Sequence, residues 1–482
     1  MGKKLVIEPL TRVEGNARVT IMLDDDGKVR DSWVQVIELR GFEKFCIGRP
    51  VEEMPRVVTR ICGVCPWAHH LASAKAADAL FEVEIPDAAG KIREAAYAAH
   101  VIHSHLLHFF FLAAADFLTE PGEGYQVRNI IGLASKNPDL VRKAVRVRHM
   151  AQQMTEIIAA SAMHPDAVVP GGFSRPLKEE QRQELLPMAR ECLDFALFAI
   201  DFSKEKVFKP KMELLKQEIP LVTGYLGMVD PKGGLNFYDG KLRLKLPGDN
   251  GSHQEFDPVD YRDYIDEQRM DWSYAKFPYA RSAGRLSLDP EDPAGVYRAN
   301  SLARLNVCDF IPTPLAQQEL LEYRAAAGRV VHHSFFHHWA RLIEVIYNAE
   351  RAIELLEDTG ITDARVREKV SPRAGRGVGV VEAPRGTLIH DYEADSKGYI
   401  TKVNLIVGTT HSSAAMHIDV LKTARQVLDG GRSDEEALNK IEMAIRAYDP
   451  CFSCATHKMD GSVPVKMEIR DARGRVIRTL SN

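Results

Sequence analysis

Apolar positions recur every three to four residues through the middle of the chain, the spacing that lines one face of a helix. That period predicts helices over residues 92–116, 139–163, 179–207 and 341–358. A further helix precedes Asp449-Pro450. Its apolar stripe is Leu438, Ile441, Ile445 and Tyr448; Ser433 with Glu436 reads as a capping box at its start, and the Asp-Pro step ends it. Near both ends of the chain the period changes to two. Residues 19–23 and 29–36 flank an Asp-Asp-Asp-Gly turn, and residues 465–470 and 475–480 flank Arg473-Gly474, so each pair predicts a hairpin. Residues 232–252 are glycine-rich with alternating apolar positions, and predict a β excursion or loop insertion. The fold expected is mainly α, with small β-sheets near the N- and C-termini.

Composition narrows the class. A chain of 482 residues can bury a large core, and 27% charged with 45% hydrophobic residues is ordinary for a globular protein. A net charge of −4 gives no electrostatic reason to expect nucleic acid. No apolar run reaches the roughly 18–20 residues of a membrane span, because the greasiest stretch, residues 106–118, is broken by His108 and Asp116. The first residues lead into a strand-like segment without a signal-peptide stretch, and seven cysteines are too few for a disulfide scaffold. A cytoplasmic protein is expected.

The cysteines carry the chemistry. Cys62 and Cys65 form one C-x-x-C, and Cys451 and Cys454 form a second near the far end of the chain. Each pair sets two sulfurs on one side of a tight turn, where both can reach one metal ion or close a redox disulfide. A structural zinc site usually closes a short loop, so two distant pairs argue that both chain ends converge on one buried point; sulfur ligation alone leaves zinc and a redox metal equally open. The flanks are Arg60-Ile-Cys62-Gly-Val-Cys65-Pro-Trp-Ala-His69 and Asp449-Pro-Cys451-Phe-Ser-Cys454-Ala-Thr-His457. Each pair thus ends with a histidine close enough to hydrogen-bond a ligating sulfur.

Together these two segments resemble the double signature of NiFe-hydrogenase large subunits. Arg12-Val-Glu14-Gly15, Arg40-Gly-Phe-Glu43, the histidine-rich stretch His103-Ser104-His105 and Glu382-Ala-Pro384-Arg385-Gly386 are similar to further blocks of that family. Lys44-Phe45 and the doubled histidines most resemble its cytosolic methyl-viologen-reducing type. The resemblance implies that Cys62, Cys65, Cys451 and Cys454 bind nickel, with Cys65 and Cys454 bridging to an iron that carries carbon monoxide and cyanide. It makes Glu14 the proton gate and sets Arg385 over the open coordination site, with Asp449 beside it. Glu43, the Leu405 carbonyl and His457 would hold a second metal, usually magnesium; Thr409 would offer a hydroxyl to a cyanide, and His69 and Pro384 would line the centre. Ser104 departs from the pattern, because periplasmic relatives commonly carry Asp there. His100, His103 and His108 on a predicted helix, and His333 with His337 at i, i+4, are expected at packing positions, since the glutamate of a zinc-protease motif is missing.

The resemblance also implies an α-rich body with a buried centre, the catalytic subunit of an enzyme that reversibly cleaves H2. Because both cysteine pairs must meet, residues 1–482 are expected to form a single intertwined body, with 458–482 a candidate C-terminal maturation peptide. Cys46, Cys192 and Cys308 are too scattered to hold an iron–sulfur cluster, so electrons need an iron–sulfur partner subunit. The methyl-viologen-reducing type implies further electron-transfer subunits such as heterodisulfide reductase. The alternatives are a non-catalytic hydrogen sensor and a zinc-stapled structural subunit.

Overall fold

The structure, a computed structural model, describes residues 4–120, 123–217, 220–248, 253–428, 434–456, 466–470 and 476–481, the last two segments by their backbone. The periodic segments are helices. Asp87–Leu106 runs on through a wide π-type turn, Leu107–Ala113, into Ala115–Leu118; Pro138–Ala159, Glu179–Ser203 and His337–Glu357 are the others. Pro138–Ala159 stops four residues before the predicted end because Ala160 turns left-handed (φ 58°). The final helix spans Glu435–Ala447, and its cap is Asp434, whose carboxylate accepts from the Ala437 amide at 2.9 Å. The cap therefore sits one residue beyond Ser433, which lies outside the described residues.

Both terminal hairpins are present. Ala17–Leu23 and Val29–Val36 pair antiparallel, with Lys4–Ile7 as a third strand, and Lys466–Arg470 pairs with Val476–Ser481. The glycine-rich stretch supplies Lys241–Lys245, set between Gly224–Val229 and Gln254–Phe256 in a four-stranded sheet.

The structure adds an interior sheet, Gly375–Ala383, Gly386–Ala394 and Ile400–Ile406, and the helix Pro66–Phe81 that packs on it. Neither shows in the periodicity, because both are buried on nearly every side and so lose the one-sided burial that a pattern needs. Small residues set their separation. A Cβ at Gly377 would stand 2.1 Å from the Ala76 carbonyl oxygen, and one at Gly379 would stand 2.0 Å from that of Ala72. The helix backbone rests directly on the strand, which fixes Cys65 at one end of the helix against the sheet that carries Arg385.

His103 Nδ1 bonds the Arg148 carbonyl at 3.3 Å and His108 Nε2 the Arg446 carbonyl at 2.8 Å, and among the described residues the four cysteines are the one cluster able to hold a metal ion. His70 bonds the Pro55 carbonyl at 2.8 Å, His105 bonds Glu344 at 2.9 Å, and His417 stacks on Trp272. Burial pushes all three down to about 4.

Two outcomes follow from this packing. A histidine with a depressed folded-state pKa gains its proton more readily when unfolded. Its stabilising contribution is complete above about pH 6.5 and falls by about 1.4 kcal/mol per pH unit toward pH 4. The Tm of the purified protein should drop steeply from pH 6.5 to 4.5, and a flat Tm there would contradict the buried neutral state. Gly379→Val should cost about 3 kcal/mol in chemical denaturation, because helix and strand must separate.

Candidate metal centre

Two turns present the four sulfurs. Cys62 follows the short helical turn Val58–Ile61, and Cys65 caps Pro66–Phe81, with Pro66 at the first helical position, where no amide is required. The amides of Val64 and Cys65 donate to Cys62 Sγ at 3.2 and 3.4 Å. On the other arm, Glu435–Ala447 runs out at Tyr448, and Asp449 takes a left-handed backbone (φ 53°) that reverses the chain into Pro450 and Cys451. The Cys451 amide donates to Thr409 Oγ1 at 2.8 Å.

The N-terminal segment holds this second arm from outside. The Phe452 amide donates to the Glu14 carbonyl at 3.0 Å. Gly15 has φ +80°, and a Cβ there would lie 2.5 Å from the Ser453 nitrogen, so only glycine permits the approach. The Glu14 carboxylate accepts from the Ser453 hydroxyl, and from its amide at 3.3 Å.

All four sulfurs lie within 4.8 Å of one another and are buried. Cys62 and Cys451 are 3.2 Å apart, Cys65 and Cys454 3.3 Å, and Cys451 and Cys454 2.9 Å. Hydrogen bonds from Cys451, then from Cys454 and Cys65, hold Cys62 well below the usual thiol range, whereas burial pushes Cys451 and Cys454 up. A cation among the sulfurs would favour their thiolate forms.

Arg385 stands at a hairpin tip thrust into the interior. Pro384 and Arg385 form the two-residue turn between Gly375–Ala383 and Gly386–Ala394. Arg385 Nη1 donates to Ser104 Oγ at 3.2 Å, and Nη2 lies 3.2 Å from Asp449 Oδ1. Burial opposes the guanidinium charge, but Asp449 and the cysteine sulfurs raise its pKa above the usual value. Burial likewise raises Asp449, against the pull of Arg385 and Arg341. Glu14 is raised by burial first and by the Cys62 charge second.

The structure brings Cys62, Cys65, Cys451, Cys454, Glu14, His69, Pro384, Arg385, Thr409 and Asp449 together, while Glu43 and Leu405 meet at a separate point. There Leu405 N and Lys276 Nζ both donate to Glu43 Oε1, at 2.9 and 2.7 Å. His457 lies outside the described residues. Sequence reasoning missed Arg304, Glu344, Lys276 and Ser453. Ser453 sits inside the second cysteine pair and could have been found there; the other three lie in segments whose pattern is indistinguishable from core.

The pocket fits more than four-sulfur ligation. His69 Nδ1 bonds His390 Nε2 at 3.1 Å, but His69 Nε2 and Arg385 Nε are buried without hydrogen-bond partners. Cys65, His69, Arg385, Thr409, Cys451 and Cys454 line one small cavity. A lone tetrahedral zinc would satisfy the sulfurs and leave the buried donors orphaned, whereas a nickel–iron centre bearing small acceptor ligands would meet both needs.

Comparison with known proteins agrees. Residues 40–120 and 322–457 match the family described as nickel-dependent hydrogenase, and residues 4–39 match a HoxL-like family. Over 428 residues the chain is 44% identical to a chain of the vhu F420-non-reducing hydrogenase of Methanocaldococcus jannaschii, covering 89% of this chain and 100% of that one. It is 39% identical over 484 residues to a chain of the F420-non-reducing hydrogenase of Methanothermobacter thermautotrophicus, covering 99% of this chain and 100% of the relative. The solved structure of an NAD+-reducing NiFe-hydrogenase in the H2-reduced state has a TM-score of 0.89 at 40% identity, covering 94% of this chain and 99% of that chain. Four sulfurs gathered from both chain ends, and relatives matched along nearly the whole length, lead to one conclusion: the chain belongs to the NiFe-hydrogenase large-subunit family, whose catalytic chemistry is performed on H2.

Proposed function

We propose that this chain cleaves H2 heterolytically at a nickel–iron centre carrying carbon monoxide and cyanide, and passes the electrons to an iron–sulfur partner subunit. The observation that carries the reading is the convergence of four buried sulfurs beneath Arg385, with unpaired His69 and Arg385 nitrogens beside them. When bound, such a centre supplies the site at which H2 is polarised and its electrons are taken up. Cys62, Cys65, Cys451 and Cys454 would hold the centre through their thiolates. Arg385 polarises without acting as the base, since a guanidinium held by Asp449 keeps its protons. Glu14 takes the proton from the Cys451 side and moves it outward past Ser453. The Thr409 hydroxyl accepts the Cys451 amide and keeps its own proton to offer a cyanide. Pro384 fixes the turn that carries Arg385.

The described residues hold only part of the expected magnesium site, since His457 lies outside them. The Glu43 carboxylate pairs with the buried Lys276 ammonium, which is shared with Glu267 at 2.9 Å and lies 2.8 Å from the Asn404 side-chain oxygen. No step is assigned to a second metal.

The partner follows from the cysteines. Cys46, Cys192 and Cys308 are buried and isolated from the centre, so the electrons have no cluster among the described residues. A heterodisulfide-reductase-linked assembly is proposed from the resemblance of Lys44-Phe45 and the doubled histidines to the methyl-viologen-reducing type. No described helix is long and apolar enough to cross a membrane, and unpaired cysteines suit a reducing, cytoplasmic setting. Residues 1–482 are proposed as one catalytic body, with 458–482 as its maturation peptide.

Metal analysis of the purified complex should give nickel and iron in equal amounts, with infrared bands of metal-bound carbon monoxide and cyanide; zinc alone would overturn the reading. Glu14→Gln should keep both metals while H/D exchange falls about 100-fold or more, the scale of a lost proton relay. Cys454→Ser should prevent stable metal insertion, and a fully metallated, active variant would refute its role as a ligand.

A further inference from the structure

Arg304 is fully buried in the short helix Ser301–Val307, away from the sulfurs, and nothing in the chemistry above uses it. Its contacts nonetheless converge on the active-site hairpin. Nη1 donates to the Ala383 carbonyl at 3.0 Å and Nη2 to the Pro384 carbonyl at 3.1 Å. These are the last two carbonyls before Arg385, at a turn from which water is excluded, so they lack solvent partners. The rest of the fork is held by carboxylates: Nε to Glu344 at 2.6 Å, Nη2 to Glu344 at 2.8 Å, and Nη1 to Glu382 at 2.9 Å. Glu382 is itself fixed by the Met228 amide at 3.0 Å and the Thr387 hydroxyl at 2.7 Å.

Glu344 also reaches the other side of the site. Its carboxylate bonds His105 Nε2 at 2.9 Å, and His105 follows Ser104, the hydroxyl that receives Arg385 Nη1. One carboxylate thus ties the helix presenting Ser104 to the arginine that grips the turn presenting Arg385. With Ser in place of an acid at position 104, no charge on that side draws Arg385 into place, so its position depends more on the turn being held.

We propose that Arg304, with Glu344 and His105, is a positioning residue that sets the height and angle of Arg385 over the metal centre. The inference rests on the hydrogenase reading above. Arg304 touches neither sulfur nor substrate and acts only through the turn. A planar fork is required, because lysine could keep one ion pair but could not hold two carboxylates and two carbonyls at once. Displacing the polarising group by about 1 Å costs about 100-fold in rate.

The test uses the purified complex with its partner subunits, comparing wild type, Arg304→Lys, Arg385→Lys and the double variant. Arg304→Lys should keep the wild-type nickel and iron content yet lower H/D exchange per metal centre about tenfold to 100-fold. Its carbon monoxide and cyanide bands should shift in the same direction as in Arg385→Lys, and the double variant should exchange no more slowly than Arg385→Lys alone. Unshifted bands, unchanged exchange per centre, or additive losses would overturn the proposal. Should Arg304→Lys fail to take up metal, His105→Gln serves instead, since it leaves the Arg304 ion pairs intact while weakening the tie to the Ser104 helix. The same band shift with a smaller loss is expected. Wild-type behaviour in this variant, or loss of metal from both, would assign these residues to structure alone. Wild-type complex lacking exchange altogether would instead sink the hydrogenase reading.

Discussion

The structure depends on one close approach, that of the backbone at Glu14 and Gly15 against the turn from Cys451 to Ser453. The amide of Phe452 reaches the Glu14 carbonyl, and the absence of a side chain at Gly15 lets the two segments touch. Without that contact the second cysteine pair would end a frayed helix terminus. With it, the turn is pinned from outside while Thr409 pins it from within. Sulfur ligation tolerates little slack, so both restraints bear directly on whether four thiols can meet one core.

The second organising feature is the number of arginines without access to solvent. Arg304, Arg341, Arg385 and Arg446 are all buried, each against carboxylates or backbone carbonyls. Buried ion pairs add little net stability relative to apolar packing, because desolvation offsets their attraction. Their value is geometric. In Arg304 and Arg446 every guanidinium nitrogen is bonded, which admits one arrangement and suits loops that must hold a metal centre in register. Arg446 does this for the N-terminal segment, bonding Asp116, Asn439 and the Thr11 carbonyl. Lys276 plays a comparable part between Glu43 and Glu267.

Much of the fold was legible in the sequence. Amphipathic helices such as Pro138–Ala159 and Glu435–Ala447 face the core on one side only, so their period survives in the chain. The terminal hairpins announce themselves through alternation and turn residues. The interior sheet and the alanine-rich helix Pro66–Phe81 stayed hidden, because burial on nearly every side, polar His69, His70 and Ser73 included, leaves no one-sided pattern to read. The cap at Asp434 was misplaced by one residue for a simpler reason: adjacent Ser and Asp are both good caps, and only the helix phase chooses between them.

At the site, the sequence by itself determined which atoms can bind metal. Cysteine pairs and their flanking residues are local features, and their chemistry does not depend on the rest of the chain. It also named Glu14, Arg385 and Asp449 through motifs that sit next to glycine or proline turns. Only the tertiary structure decided what holds those groups in place: Ser453 against Glu14, Ser104 and Asp449 against Arg385, Lys276 against Glu43, and Arg304 against the turn below Arg385. These partners come from distant segments and are ordinary residues in ordinary patterns. Burial removes the water that would otherwise satisfy each polar group, so every one must find its partner in space, and linear spacing does not record that.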